Sequence, residues 1–192
     1  MNNNEDNYQL IPYLAADLRR ARFLTHGIID NIPRYKLWFG IFSPRFIPVL
    51  LYRLAFHFDY LGCSFFAKFF SLINFFFFGI EIATKCKIGK GIFFPHTQGT
   101  VIGAFSIGEC VIIFQGVTLG ARELNFSFDH KSRPVIEDNV TIGAGAKVLG
   151  GVNLGVGCSI GANAVVLNDV ESGSVMVGIP AKKIIKSEPN EL

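Results

Sequence analysis

Four histidines, His26, His57, His96 and His130, are the residues best suited to acid–base or metal chemistry, and their spacing narrows the options at once. They form no HxH, HxxxH or HExxH pattern, so no histidine-based metal site is expected. His57 lies in the apolar run LYRLAFHFDYL and reads as a core or helix-face residue. Asp129, His130 and Ser132 have the residue types of a nucleophilic triad. Neighbours on one loop rarely converge into the hydrogen-bonded chain that a triad needs, so they are not read as one. His96 differs because it falls in FPHTQG, inside a repeating stretch rather than a free segment. An imidazole with a pKa of about 6.5 can take a proton from an alcohol in a transition state near neutral pH. The residues therefore point to a general base held on a rigid frame.

That frame shows as a six-residue beat between Glu81 and Lys182, in which an aliphatic or aromatic residue opens each hexad and Gly or another small residue often follows. Ile136, Ile142, Val148, Leu154, Ile160 and Val166 open an unbroken second half. Ile82, Ile88, Phe94, Val101, Ile107, Ile113 and Leu119 open the first half, with one extra residue before Val101. Hexad repeats mark a parallel β-helix, each hexad making a short strand and a turn of a triangular coil of about eighteen residues. The opening side chain points inward, and small residues follow because a turn packed on the coil above has little room and often needs φ > 0. A Gly-rich parallel α/β sheet would need helical crossovers between strands, and no helical run separates the hexads. The expected organisation is an N-terminal helical segment over residues 1–79, broken by Pro33, Pro44 and Pro48, and a mainly β domain over residues 80–192. ARELNFSFDHKSRP, between Gly120 and Val135, lacks the beat and carries five charged residues, so residues 121–135 are expected to protrude as a loop.

At 192 residues and 50% hydrophobic, the chain can bury a full core. A net charge of +3 with 17% charged residues gives no basic stripe for nucleic acid, and the cluster Arg19, Arg20 and Arg22 reads as a solvated helix face. Cys63, Cys86, Cys110 and Cys158 show no CxxC or Cys/His metal spacing and read as reduced, buried thiols. The polar start MNNNEDNYQL lacks the basic and apolar regions of a secretory signal, which places the chain in the cytoplasm. Phenylalanine is the anomaly, with twenty residues in the chain and eight of them in CSFFAKFFSLINFFFFGI. Lys68 interrupts that run, and its uncharged part falls well short of the roughly 20 residues of a spanning helix. A helix buried against the open end of the prism is preferred, with an interfacial helix at the inner face of a membrane as the alternative.

PHTQGTVIG, FQGVTLGA, RPVIEDNVTIGAGAKVLGGVNLG and VGIPAKKI resemble the serine acetyltransferase branch of the left-handed β-helix acyltransferases, over roughly Glu81 to Ile185. The Phe-rich leader also resembles shorter members found with capsule and exopolysaccharide genes. The resemblance implies a left-handed parallel β-helix, a homotrimer with each site between two subunits, acetyl-CoA as cosubstrate and no metal. It places His96 on the family's catalytic base and Glu81 on the carboxylate that orients it, where the family has Asp. It also implies an acetyl-CoA groove between coils, with Ala144 and Ala162 leaving room for the pantetheine arm and Lys182 and Lys183 meeting the phosphates. Tight-turn packing and plain solubility explain those four residues equally well. Gly120 joins this cofactor set. Where the family has Arg-His-Pro around its serine, this chain has Ser132-Arg133-Pro134, so Ser132 and Arg133 are the acceptor-binding positions. That replacement, together with the leader, leads to the expectation of a saccharide hydroxyl in capsule, exopolysaccharide or lipopolysaccharide assembly as acceptor, with L-serine a poor one. A divergent serine acetyltransferase is the alternative enzyme. A non-catalytic hexapeptide scaffold, or a metal protein resembling γ-carbonic anhydrases, is the third reading.

Overall fold

Strands of two or three residues stack into three sheets in the computed structural model, which describes residues 8–27, 40–124 and 128–184. The first face carries Ile80–Ile82, Thr100–Ile102, Thr118–Gly120, Lys147–Leu149 and Val165–Val166. Lys87–Ile88, Ser106–Ile107, Val135–Ile136 and Asn153–Leu154 make the second. Ile112–Ile113, Thr141–Ile142, Ser159–Ile160 and Val175–Val177 make the third. Each strand pairs in parallel with its counterpart one coil away, and Lys182–Ile184 folds back antiparallel onto Val175–Val177. This is the expected fold, a left-handed parallel β-helix behind an N-terminal helical segment. The polar N-terminus, the Pro33 break and the acidic tail lie outside the described residues.

The inward positions form one column of packed aliphatic and aromatic side chains, Ile82, Ile88, Phe94, Ile107, Ile113, Leu119, Ile136, Ile142, Val148, Leu154, Ile160 and Val166 among them. Burying each such side chain stabilises the fold by about 1.5–3 kcal/mol. Val101 is the exception to the expected beat. It is 38% exposed, and Ile102, at 1%, takes the inward place. Alternation along Thr100–Ile102 explains the shift, since residues on either side of an outward side chain must point in. Ile82 pairs with Ile102, Ile102 with Leu119 and Val148 with Val166, so these coils take 20, 17 and 18 residues. From inward Phe94 to inward Ile102 is eight residues, against six from Ile113 to Leu119. The two added residues enlarge the turn that carries His96.

Among the described residues three α-helices precede the coils, a leading one at Leu10–His26, a central one at Ile47–Tyr60 and a Phe-rich one at Ser64–Phe78. Pro48 in the first turn of the central helix suits a position with no intrahelical N–H partner, and left-handed Gly79 (φ 61°) stops the Phe-rich helix and turns the chain into the first strand. A buried ion pair fastens the helices to the prism. Arg53 donates from Nε and Nη2 to Asp17 (2.8 and 3.2 Å), from Nη1 to the Ile88 carbonyl and from Nη2 to that of Gly89 (2.6 Å each). Asp17 Oδ1 also accepts the N–H groups of Gly91 (2.7 Å) and Ile92 (3.2 Å), and Tyr52 donates to the Cys86 carbonyl (2.6 Å). Burial works against the Arg53 charge, but Asp17 beside it raises the guanidinium above its ordinary pKa.

The Phe-rich helix corrects the preferred expectation. Only Ala67 and Asn74 are fully buried, Asn74 donating to the Pro48 carbonyl (2.9 Å). Phe70 stacks on Phe58 of the central helix, whereas Phe65 and Phe77 are each 77% exposed and Phe69, Leu72, Phe75 and Phe76 are exposed with them. A helix apolar around its whole circumference cannot bury every face against one neighbour. Among the described residues no helix is long and apolar enough to cross a membrane. The thiols also differ from expectation in part, since Cys63 is exposed and Cys110 half-buried. Burial pushes the Cys86 thiol up to about 12 and that of Cys158 to about 11, which keeps both protonated and unreactive.

Burial already raises the Asp17 carboxyl, so replacing Arg53 by Ala leaves Asp17 buried without its cation, and urea unfolding followed by circular dichroism is expected to show a loss of about 3–5 kcal/mol. A loss under about 1 kcal/mol would mean that the Gly91 and Ile92 amides satisfy Asp17 without the guanidinium.

Candidate active site

His96 is exposed on the enlarged turn between the third and first faces. Hydrogen bonds on both sides fix that turn. Thr97 Oγ1 donates to the Phe78 carbonyl (2.7 Å) and the Gly99 N–H to that of Gly79 (2.9 Å), tying it to the end of the Phe-rich helix. On the other side, the Gly116 N–H reaches both the Gln98 carbonyl (3.0 Å) and Thr100 Oγ1 (3.1 Å). A cavity of about 550 Å³ opens here, lined by His96, Ser43, Pro44, Arg45, Phe78, Phe94, Pro95, Thr97 and Gln98.

The same edge continues down the prism. Gly145 donates to the Gln115 carbonyl and Asn163 to that of Ala144 (2.8 Å each), so the turns holding His96, Gln115, Ala144 and Ala162 stack in line. Each turn passes through the left-handed region, at Gly116 (φ 70°), Gly145 (φ 73°) and Asn163 (φ 57°). The left-handed backbone favours Gly at Gly145, where an added Cβ would also meet the Asn163 side chain of the next turn. At the foot, Gly178-Ile179-Pro180-Ala181 closes the edge through Val165 N–H to Gly178 (3.0 Å) and Ala181 N–H to Val165 (2.8 Å). Four steps of strand spacing put that foot about 19 Å from the His96 turn. Lys182 and Lys183 follow it. Lys183 forms an exposed ion pair with Glu171 (2.6 Å), whose carboxyl is lowered by that hydrogen bond and charge, and Lys182 has no ion-pair partner among the described residues.

Gly120, Ser132 and Arg133 lie elsewhere, on the edge between the first and second faces, where Gly150 donates to the Gly120 carbonyl (2.9 Å). Within one chain Gly120 therefore lies on a different edge from Ala144 and Ala162. The width of the first face separates them because the loop leaves from the far end of that strand. Arg133 donates to the Gly103 carbonyl (2.9 Å) and stacks over Phe128 (4.8 Å). Ser132 Oγ donates to Asp129 Oδ1 (3.0 Å), which also accepts the N–H groups of Lys131 and Ser132. His130 packs edge-on against Phe105 (5.9 Å) rather than between Asp129 and Ser132, so no triad forms. Ser132 opens on a separate cavity of about 900 Å³ with Arg122, Lys131, Gly150 and Asp169.

Glu81 is exposed on the first face, three residues past Phe78 and in register with Val101, and no hydrogen bond or ion pair joins it to His96. The hexad beat has no way of marking Arg45. It precedes the central helix by two residues and reaches the His96 cavity through packing of that helix on the prism. Among the described residues, no group of three or more His, Cys, Asp or Glu side chains is arranged to hold a metal ion.

Residues 133–168 match the family of bacterial transferase hexapeptide repeats (six repeats). A serine acetyltransferase of Helicobacter pylori (strain ATCC 700392 / 26695) is 44% identical over 158 residues, covering 82% of this chain and 91% of that protein. Among solved structures, a truncated serine acetyltransferase apoenzyme superposes with a TM-score of 0.79 at 30% identity, over 91% of this chain and 70% of that one. A serine acetyltransferase of Brucella abortus strain S19 in complex with coenzyme A gives 0.77 at 28% identity, over 94% of this chain and 69% of that one. These relatives overturn the expectation of a saccharide acceptor and of the capsule and exopolysaccharide branch. They lend no support to membrane contact either. Two replaced loop positions, Ser132 and Arg133, carry less weight than likeness spread along the chain. With 44% identity across nine-tenths of a relative's length, the chain belongs to the serine acetyltransferase family of hexapeptide-repeat transferases.

Proposed function

We propose that the protein transfers the acetyl group of acetyl-CoA to the hydroxyl of L-serine, with His96 as general base. The observation that carries this reading is the line of stacked turns that starts at His96 and passes Ala144 and Ala162, in a chain whose relatives are serine acetyltransferases. His96 takes the hydroxyl proton as the serine oxygen attacks the thioester carbonyl. The tetrahedral intermediate then collapses, and the imidazolium returns the proton to the leaving CoA thiolate. Glu81, exposed and without a hydrogen bond on the adjoining face, is assigned to orienting the imidazole and favouring its charged form. The pantetheine arm runs along the edge past Ala144 and Ala162, where side chains are smallest, and Lys182 at the foot meets the phosphates with Lys183 beside it. A homotrimer fits the separation of His96 from Ser132 and Arg133 on two edges, because a neighbouring subunit then brings its loop to the His96 edge.

Purified protein given acetyl-CoA and L-serine is expected to release CoA with saturable dependence on serine and to form O-acetylserine, read by a thiol assay and mass spectrometry. CoA release no faster with serine than by hydrolysis would sink the reading. His96→Ala should lower kcat by about 10²- to 10⁴-fold with little change in the acetyl-CoA KM, since the turns that hold the cofactor stay in place. Glu81→Gln should cost less, because the base remains and loses only its charge partner. A Glu81→Gln enzyme at the wild-type rate would remove Glu81 from the mechanism.

A further inference from the structure

The cavity beside His96 contains a positive side chain that the family resemblance does not supply. Arg45 lines it together with His96, and among the described residues no other lining residue is a permanent cation. Arg45 is exposed and makes no hydrogen bond or ion pair among the described residues, so its five N–H donors are available to a ligand.

An acceptor amino acid sets a strict demand on this cavity. Its hydroxyl must touch the His96 imidazole, and its carboxylate carbon is only three bonds from that hydroxyl oxygen in the same small molecule. A cation that pairs with the carboxylate must therefore share the cavity with the base. The loop positions meet that demand poorly from within one chain, and a loop brought to this edge by a neighbouring subunit would arrive with Arg133 already engaged. Ser132 is neutral and bonded to Asp129, whereas Arg133 is bonded to the Gly103 carbonyl, lies over Phe128 and sits on another edge of the prism. Lys182 and Lys183 are at the foot of the His96 edge, about 19 Å away by strand spacing. We propose that Arg45 binds the carboxylate of the acceptor amino acid through a bidentate contact and so holds its hydroxyl against His96. This inference rests on the serine reading and makes Arg45, rather than the loop, the residue that selects for an acceptor with a carboxylate.

The test compares wild type, Arg45→Ala, Arg45→Lys and Arg133→Ala as full-length proteins, with circular dichroism and sedimentation confirming that each folds and assembles as wild type does. Arg45→Ala is expected to raise the KM for L-serine about 10- to 100-fold while the KM for acetyl-CoA stays within about twofold. Arg45→Lys should fall between, because it keeps the charge and loses the fork. L-serinamide, which has the hydroxyl and no carboxylate, should be used equally by wild type and Arg45→Ala, so the preference for serine over serinamide collapses in the variant. An unchanged serine KM in Arg45→Ala, or a preference lost only in Arg133→Ala, overturns the role of Arg45 and leaves the serine reading standing. A rise confined to the acetyl-CoA KM also overturns it and moves Arg45 to the cosubstrate. If wild type does not acetylate serine at all, both readings fall, an outcome distinct from the others because it appears before any variant is compared.

Discussion

The backbone ladder between coils governs this molecule, because every turn must offer its carbonyl to an N–H one coil further along at about 4.8 Å spacing. That requirement favours small residues, and residues that tolerate the left-handed region, where turns approach. It explains the left-handed Gly116, Gly145 and Asn163 and the small residues next to them. A groove of stacked turn backbones follows as a by-product of packing. Wherever a functional side chain enters such an edge, its height is fixed by coil number, and lengthening one turn moves that side chain outward without disturbing its neighbours. The eight-residue step from Phe94 to Ile102 does this for His96, whose turn is still held by Gly99 N–H to Gly79 and Gly116 N–H to Gln98.

A stack of coils has two open ends, each with unpaired backbone groups, and the two ends are closed by different chemistry. At the far end, Lys182–Ile184 reverses direction and pairs antiparallel with Val175–Val177. At the near end the helices close the stack, with Leu14, Leu18, Phe46, Val49 and Tyr52 joining the prism core and polar side chains taking up backbone groups. Arg53 takes up the Ile88 and Gly89 carbonyls, and Asp17 takes up the Gly91 and Ile92 amides. These are backbone groups of the first coil, which has no earlier coil to receive them. The ion pair is thus a stand-in for the missing ladder, which explains why charge is tolerated in a site that an apolar pair of equal volume would otherwise suit. It also fixes where the central helix begins, and with it Ser43, Pro44 and Arg45 at the rim of the His96 cavity.

The prism was legible in the sequence because its period is imposed by geometry that every coil shares. Openers such as Ile142 and Val148 face inward as the beat predicts. The beat failed at Val101, where coil length changes and counting by six no longer tracks which side chain faces in. His96 was legible for the same reason as the prism, since it stands on a repeating turn. Arg45 was not, because its place depends on how a helix with no repeat packs on the first coil. The Phe-rich helix was misjudged on its packing, since composition gives the amount of apolar surface and not the number of neighbours available to cover it.

The acceptor shows where motif reading fails in physical terms. A lost Arg-His pair at Ser132 and Arg133 suggests a lost ligand only if the contact must come from that loop. Electrostatic pairing demands a cation at a point in space and is indifferent to which segment delivers it. In this chain Arg133 is spent on Gly103 and Phe128, contacts that anchor the protruding loop to the first coils, and a different segment carries a cation to the base. Replacement of a binding residue and retention of a substrate are therefore compatible whenever a second element borders the same cavity. The helices that close the near end of the prism provide that second element here. Under the proposed role of Arg45, their docking through Asp17 and Arg53 bears on acceptor choice as well as stability, although neither residue reaches the cavity itself.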